Sequence, residues 1–153
     1  MLERGDTALR EHYAAFLASG EPMHLLEIAE ILFGDWDCDA YVCELEEIVV
    51  SSVQVMLKTF IKTEDFEYLA GVDRVAESIY GCHFESLVSV LDQLSTLARD
   101  WGDLIVGQDV ILKLIYRMWE ASSDSIILIR ERLYSVANDY VREEIDRLST
   151  LSN

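Results

Sequence analysis

Apolar residues recur along most of the chain at intervals of three and four, the spacing of one face of an α-helix. Leu9, Tyr13, Phe16 and Leu17 make a first stripe, which stops at Gly20. Glu21-Pro22 opens a second, proline being tolerated in a first helical turn; Leu25, Leu26, Ile28, Ala29 and Leu32 carry it to Gly34. Beyond an aspartate-rich loop, Val42, Leu45, Ile48, Val49, Ser52, Val53, Met56 and Phe60 lie on one side of a long third helix. Its middle, 48–55, is rich in β-branched residues, so a strand competes with a helix there. The stripe runs unbroken on both sides, which sets the reading to helix.

The pattern predicts further helices over 64–80, 84–100, 103–120 and 123–151. Ser122 or Ser123 is placed to cap the last one, whose stripe runs Ile129, Leu133, Val136, Tyr140, Ile145 and Leu148. About six to seven helices joined by short turns imply an all-α fold, with antiparallel hairpins packed as a bundle or short solenoid. Asp-Trp falls at a break between two apolar runs twice, at 35–36 and 100–101, a weak echo of hairpin repetition. One proline, seven scattered glycines and no low-complexity stretch give no linker, so 1–153 reads as a single acidic helical domain.

Composition adds a strong charge. Half the residues are hydrophobic, yet the formal net charge is −17, so apolar side chains must be segregated inside an acidic surface. Such a surface repels nucleic-acid phosphates and anionic lipid, and attracts basic partners with fast, salt-sensitive encounters. No direct nucleic-acid or membrane partner is therefore expected. The N-terminal residues lack the apolar core of a signal peptide and no run of 18 apolar residues occurs, which points to a cytoplasmic protein. The cysteines, Cys38, Cys43 and Cys82, are odd in number and read as reduced, mostly buried thiols.

The stretch GDWDCDAYVCELEE is the first candidate for chemistry. Numbered from Asp35, it places oxygen ligands at positions one, three, five and twelve: Asp35, Asp37, Asp39 and Glu46. It resembles an EF-hand loop, which implies calcium held between two helices. Ala40 stands where the turn needs glycine, Cys43 is a poor partner for a hard cation, and no second loop is present. The alternative is that the aspartates cap the following helix and favour its positive end. Cys38, Cys43, Cys82 and His83 are zinc ligand types at the wrong spacing. Glu21-Pro-Met-His24 supplies one Glu-x-x-His where a di-iron bundle needs two. No nucleophile elbow, P-loop or dinucleotide fingerprint is present. The expectation is a protein with no cofactor and no catalytic residues; the alternatives are a single-loop calcium-responsive helical module and an enzyme whose site is assembled from distant residues without a recognisable motif.

The most distinctive feature is a charge run. Between Glu11 and Leu57 there is no lysine or arginine, while ten acidic residues occur. Like-charge crowding of this kind costs stability, and a domain with only structural duties intersperses both signs. Helical spacing brings Glu27 near Glu30 and Glu44 near Glu47, with the aspartate loop between them. The expected partner surface is Glu27, Glu30, Asp35, Trp36, Asp37, Asp39, Tyr41, Glu44 and Glu47, the two aromatics acting as amphipathic anchors. The expected partner is a basic protein, either a toxin or a nucleic-acid-processing enzyme, and the sequence leaves a homodimer open. In size, helical content and acidity the chain resembles immunity proteins that neutralise toxins, and small phage-encoded inhibitors such as anti-CRISPR or DNA-mimic proteins. That likeness is one of type and implies inhibition by direct binding.

Overall fold

The computed structural model describes residues 2–34, 43–79 and 81–152, with side chains from Thr7 onward. Among the described residues there are eight α-helices, one 3₁₀ turn and no strand, which is the expected all-α class with one helix more than the upper expectation. Contacts between them gather into two units, Met1–Cys82 and His83–Asn153.

The first unit holds α1 (Leu2–Ser19), α2 (Met23–Gly34), α3 (Glu46–Thr63) and α4 (Phe66–Ser78). Gly20 ends α1 with φ of +72°, a conformation that favours glycine, and its N–H bonds Phe16 O at 2.7 Å. Of the first stripe Leu9 is fully buried, Tyr13 and Phe16 are half-buried, and Leu17 is exposed. Tyr13 donates its hydroxyl to Ser51 Oγ at 3.2 Å, tying α1 to α3.

The run 48–55 is helical, not strand. Leu45, Ile48, Val49, Ser52, Val53, Met56 and Phe60 are all buried, as a stripe at helical spacing requires, while Val42 lies outside the described residues. Ser52 sits in this core at no cost in unmet polarity, because its hydroxyl donates to Ile48 O at 2.7 Å. Glu46 and Glu47 in the first turn and Lys62 in the last match the helix dipole. Glu64 closes α3 in the left-handed region, its N–H on Phe60 O. Asp65 then caps α4, accepting from the Glu67 N–H at 3.0 Å. In the core α4 packs on both α2 and α3, and α2 also on α1.

A disulfide joins Cys43 to Cys82 within this unit, with 5.5 Å between their Cα atoms. The expectation of three reduced thiols is corrected: an odd count leaves one cysteine without a partner in the chain, and says nothing against a pair among the other two. The bond fastens the entry of α3 to the segment after α4.

The second unit holds the 3₁₀ turn Glu85–Val90 and α5 (Leu91–Trp101), α6 (Ile105–Ala121), α7 (Ser125–Leu133) and α8 (Asp139–Leu151). The long helix expected over 123–151 is two helices. Asn138 is the reason: its side chain accepts from the Val141 N–H at 2.9 Å, starting α8 afresh, where inside one helix it would compete with the backbone. The core phase shifts with the break. Val141, Ile145 and Leu148 are buried, while Tyr140, expected in the stripe, is exposed. Neither Ser122 nor Ser123 caps α7; Asp124 occupies that position and makes no side-chain cap bond. Asp100-Trp101 ends α5, with Trp101 half-buried, whereas Asp35-Trp36 lies outside the described residues. Among the described residues no helix is long and apolar enough to cross a membrane.

Candidate docking surface

The candidate surface is built where α4 lies against α2. Gly71 allows that approach, since a Cβ there would stand 2.9 Å from Met56 Sδ and 3.2 Å from Leu26 Cδ2. Beside this contact Leu26 and Ala70 floor a groove of about 300 Å³, rimmed by Glu27, Glu30, Glu67 and Arg74. Three carboxylates and one guanidinium leave the rim electronegative.

Arg74 Nη1 donates to Glu30 Oε1, so one acid of the span without bases is answered by a cation from another helix. Both side chains stay largely in water, at 40% and 58% exposure, which limits such a pair to about 1 kcal/mol or less. Among the described residues no ion pair reaches Glu27, Glu44 or Glu47, and all three are exposed.

The expected partner-binding positions thus separate. Glu27 and Glu30 share the groove on α2 and α4. Glu44 precedes α3 and Glu47 lies in its first turn, where a negative charge also favours the helix end. Asp35, Trp36, Asp37, Asp39 and Tyr41 lie outside the described residues, as do three of the four oxygen ligands of the calcium-loop reading. Its fourth, Glu46, begins α3. Glu67 and Arg74 were not among the sequence candidates. Their spacing with Ala70 puts them on one helix face, but nothing local says that this face meets α2.

Charge is unevenly shared. The first unit carries 17 acidic and 5 basic residues, the second 12 and 7. In the second unit cations meet acids across and along helices: Arg132 bonds Asp92 at 3.0 Å, Arg147 bonds Glu144 at 2.8 Å, and Arg130 pairs with Asp146. In the first, burial and then the carboxylates of Asp65 and Glu67 push the Tyr68 phenol above its usual range.

Metal and nucleophile candidates fare differently. Cys43 and Cys82 are bonded to each other, so neither is a free thiolate for zinc or for catalysis. Glu21 and His24 enter α2 through a turn bond from His24 N–H to Glu21 O. Among the described residues no three His, Cys, Asp or Glu side chains are grouped to hold a metal ion. Trp119 is packing with a polar handle, its Nε1 donating to Ser152 Oγ at 2.7 Å. No protein-family model, curated protein or solved structure matches the chain.

Proposed function

We propose that this chain is a non-enzymatic inhibitor that captures a basic protein partner through the acidic face of its first unit. The observation that carries this reading is the charge asymmetry: Met1–Cys82 holds most of the acidic excess, and Glu27, Glu44 and Glu47 are exposed without an ion pair among the described residues. Long-range attraction steers a basic cleft to such a surface. Trp36 and Tyr41, the aromatic anchors expected from the sequence, would then supply desolvated contact. A toxin neutralised by its immunity protein, or a nucleic-acid-processing enzyme blocked at its phosphate-binding cleft, fits this chemistry.

Affinity purification from native lysate with mass spectrometry identifies the partner, and charge reversal tests the surface. Glu27→Lys, Asp37→Lys and Glu44→Lys together should slow association at least about tenfold at low salt and flatten its salt dependence. Unchanged association would place the interface elsewhere. The cytoplasmic setting depends on Cys43 and Cys82, because reducing compartments keep such pairs open.

A further inference from the structure

The disulfide of the first unit joins an open residue to a closed one. Cys43 lies in the turn before α3 and is exposed, whereas Cys82, after α4, is only 8% exposed. Disulfides that meet solvent are the more readily reduced ones and serve regulation. What this bond holds is local. Leu45 stands at the α3 N-cap and makes no side-chain cap bond. Apart from the disulfide, no hydrogen bond or ion pair among the described residues ties Cys43 or Glu44 to the unit. Behind them Leu45, Ile48 and Val49 are buried, so the body of α3 stays seated on its core when the bond opens.

From this we infer that Cys43–Cys82 is a redox latch on Glu44 and the first turn of α3, opened by a dithiol reductant. Its effect on docking rests on the proposed capture of a basic partner, since Glu44 and Glu47 belong to that surface. One thiolate of the dithiol attacks the Cys43 sulfur, the S–S bond breaks, and Cys82 leaves as a thiolate. The second thiolate of the reductant then attacks its own sulfur in the mixed disulfide and expels the Cys43 thiolate. Two electrons pass to the cysteines, the reductant ends as a disulfide, and the two protons it gave up end on Cys43 and Cys82. Glu44, Glu46 and Glu47 surround the attacked residue in sequence, and their field slows a thiolate more the more negative it is.

The test uses the whole chain carrying Cys38→Ser, which leaves only these two cysteines. Brief treatment with cysteamine, acid quenching and peptide mass mapping should find the mixed disulfide on Cys43. Per thiolate, cysteamine should open the bond faster than 2-mercaptoethanol, and 2-mercaptoethanesulfonate slower, each step about threefold at low salt and less at high salt. After dithiothreitol, backbone order parameters at Glu44 and Glu47 should fall from about 0.85 toward about 0.6, while Val53 and Met56 keep theirs. Decalysine should shift the Glu27, Glu44 and Glu47 amides of the oxidised protein. On reduction its affinity read at Glu44 and Glu47 should drop about threefold, the cost of ordering them again, while that read at Glu27 holds. An adduct on Cys82, rates that ignore charge, or unchanged order at Glu44 and Glu47 would each overturn the latch. Equal loss of order at Val53 and Met56 would also overturn it, by making the bond a support of the whole unit. If decalysine shifts none of the three glutamates in the oxidised protein, the docking reading fails, whereas the loosening of Glu44 stands or falls on its own measurement.

Discussion

Arg74 on α4 pairs with Glu30 on α2, 44 residues earlier in the chain. A stretch that holds no basic residue in sequence is therefore partly answered in space, and the answer comes from a helix that packs on it for apolar reasons. The groove between them keeps Glu27 and Glu67 beside that pair. Arg74 thus tempers the field of the proposed surface without abolishing it.

Removing that cation should separate stability from binding. Arg74→Ala should change unfolding free energy by less than about 1 kcal/mol, because both partners are well exposed. The same variant should associate faster with a basic partner at low salt, since the rim loses its one positive charge. Urea melts and stopped-flow mixing read the two effects. A loss beyond about 2 kcal/mol would instead make the pair part of the fold.

Cys43 and Cys82 are 39 residues apart, so their bond restrains a long loop of the unfolded chain. The chain-entropy treatment gives about 4 kcal/mol for a loop of that length. Cys82→Ser, or dithiothreitol on the natural chain, should lower stability by roughly 2–4 kcal/mol. Denatured without reductant, the protein should show one reactive thiol of its three cysteines. Three reactive thiols would mean that the bond does not form where the protein is made.

Acid should act on a specific network in the second unit. Arg147 first, and then the Tyr116 hydroxyl, hold the Glu144 carboxyl below its usual range. Burial first, then the same bond to Glu144, push the Tyr116 phenol up. A carboxyl whose folded pKa is lowered contributes stability that is complete above the unfolded value, about 4.3 for glutamate. That contribution fades as pH falls through the lowered folded range. Tyr116→Phe should raise the Glu144 titration, and Arg147→Met should raise it further. Carbon-detected titration of the side-chain carboxyl checks both. A Glu144 titration that neither variant moves would remove the network as its cause.

The helix faces were legible because burial repeats with the helix period. The α3 stripe from Leu45 to Phe60 is buried at every described position, and even its serine was correctly placed, since a helix supplies the carbonyl that Ser52 needs. Periodicity reports only local geometry, and three features escaped it for that reason. Glu67 and Arg74 join the groove through the packing of α4 on α2, which no window of sequence contains. The choice of Cys43 and Cys82 among three cysteines is equally non-local. Leu17 belongs to the first apolar stripe, yet it is 65% exposed at the last turn of α1, where the stripe runs past the buried face. The acidic span was plain in the sequence, whereas the positions of Glu27 and Glu44 on different structural elements were not.

Asn138 shows how one polar residue redirects the chain, and it makes the sharpest stability prediction. Its Oδ1 accepts from the Val141 N–H, while its Nδ2 donates to Gly102 O at 2.9 Å and Gln108 Oε1 at 3.1 Å. One side chain therefore starts α8 and ties that start to the turn between α5 and α6. Asn138→Ala loses a cap worth about 1 kcal/mol and two part-buried bonds at about 0.5–1.5 kcal/mol each. The total expected in urea melts is about 2–3 kcal/mol, allowing for water reaching Gly102 O. Asn138→Asp should recover the cap but not the donor bonds, and its charge would face two acceptors. It should therefore sit between the natural chain and the alanine variant, or fall below both if repulsion dominates. Asn138→Ala within about 0.5 kcal/mol of the natural chain would mean that α8 begins without this cap, and that the break in the expected 123–151 helix has another cause.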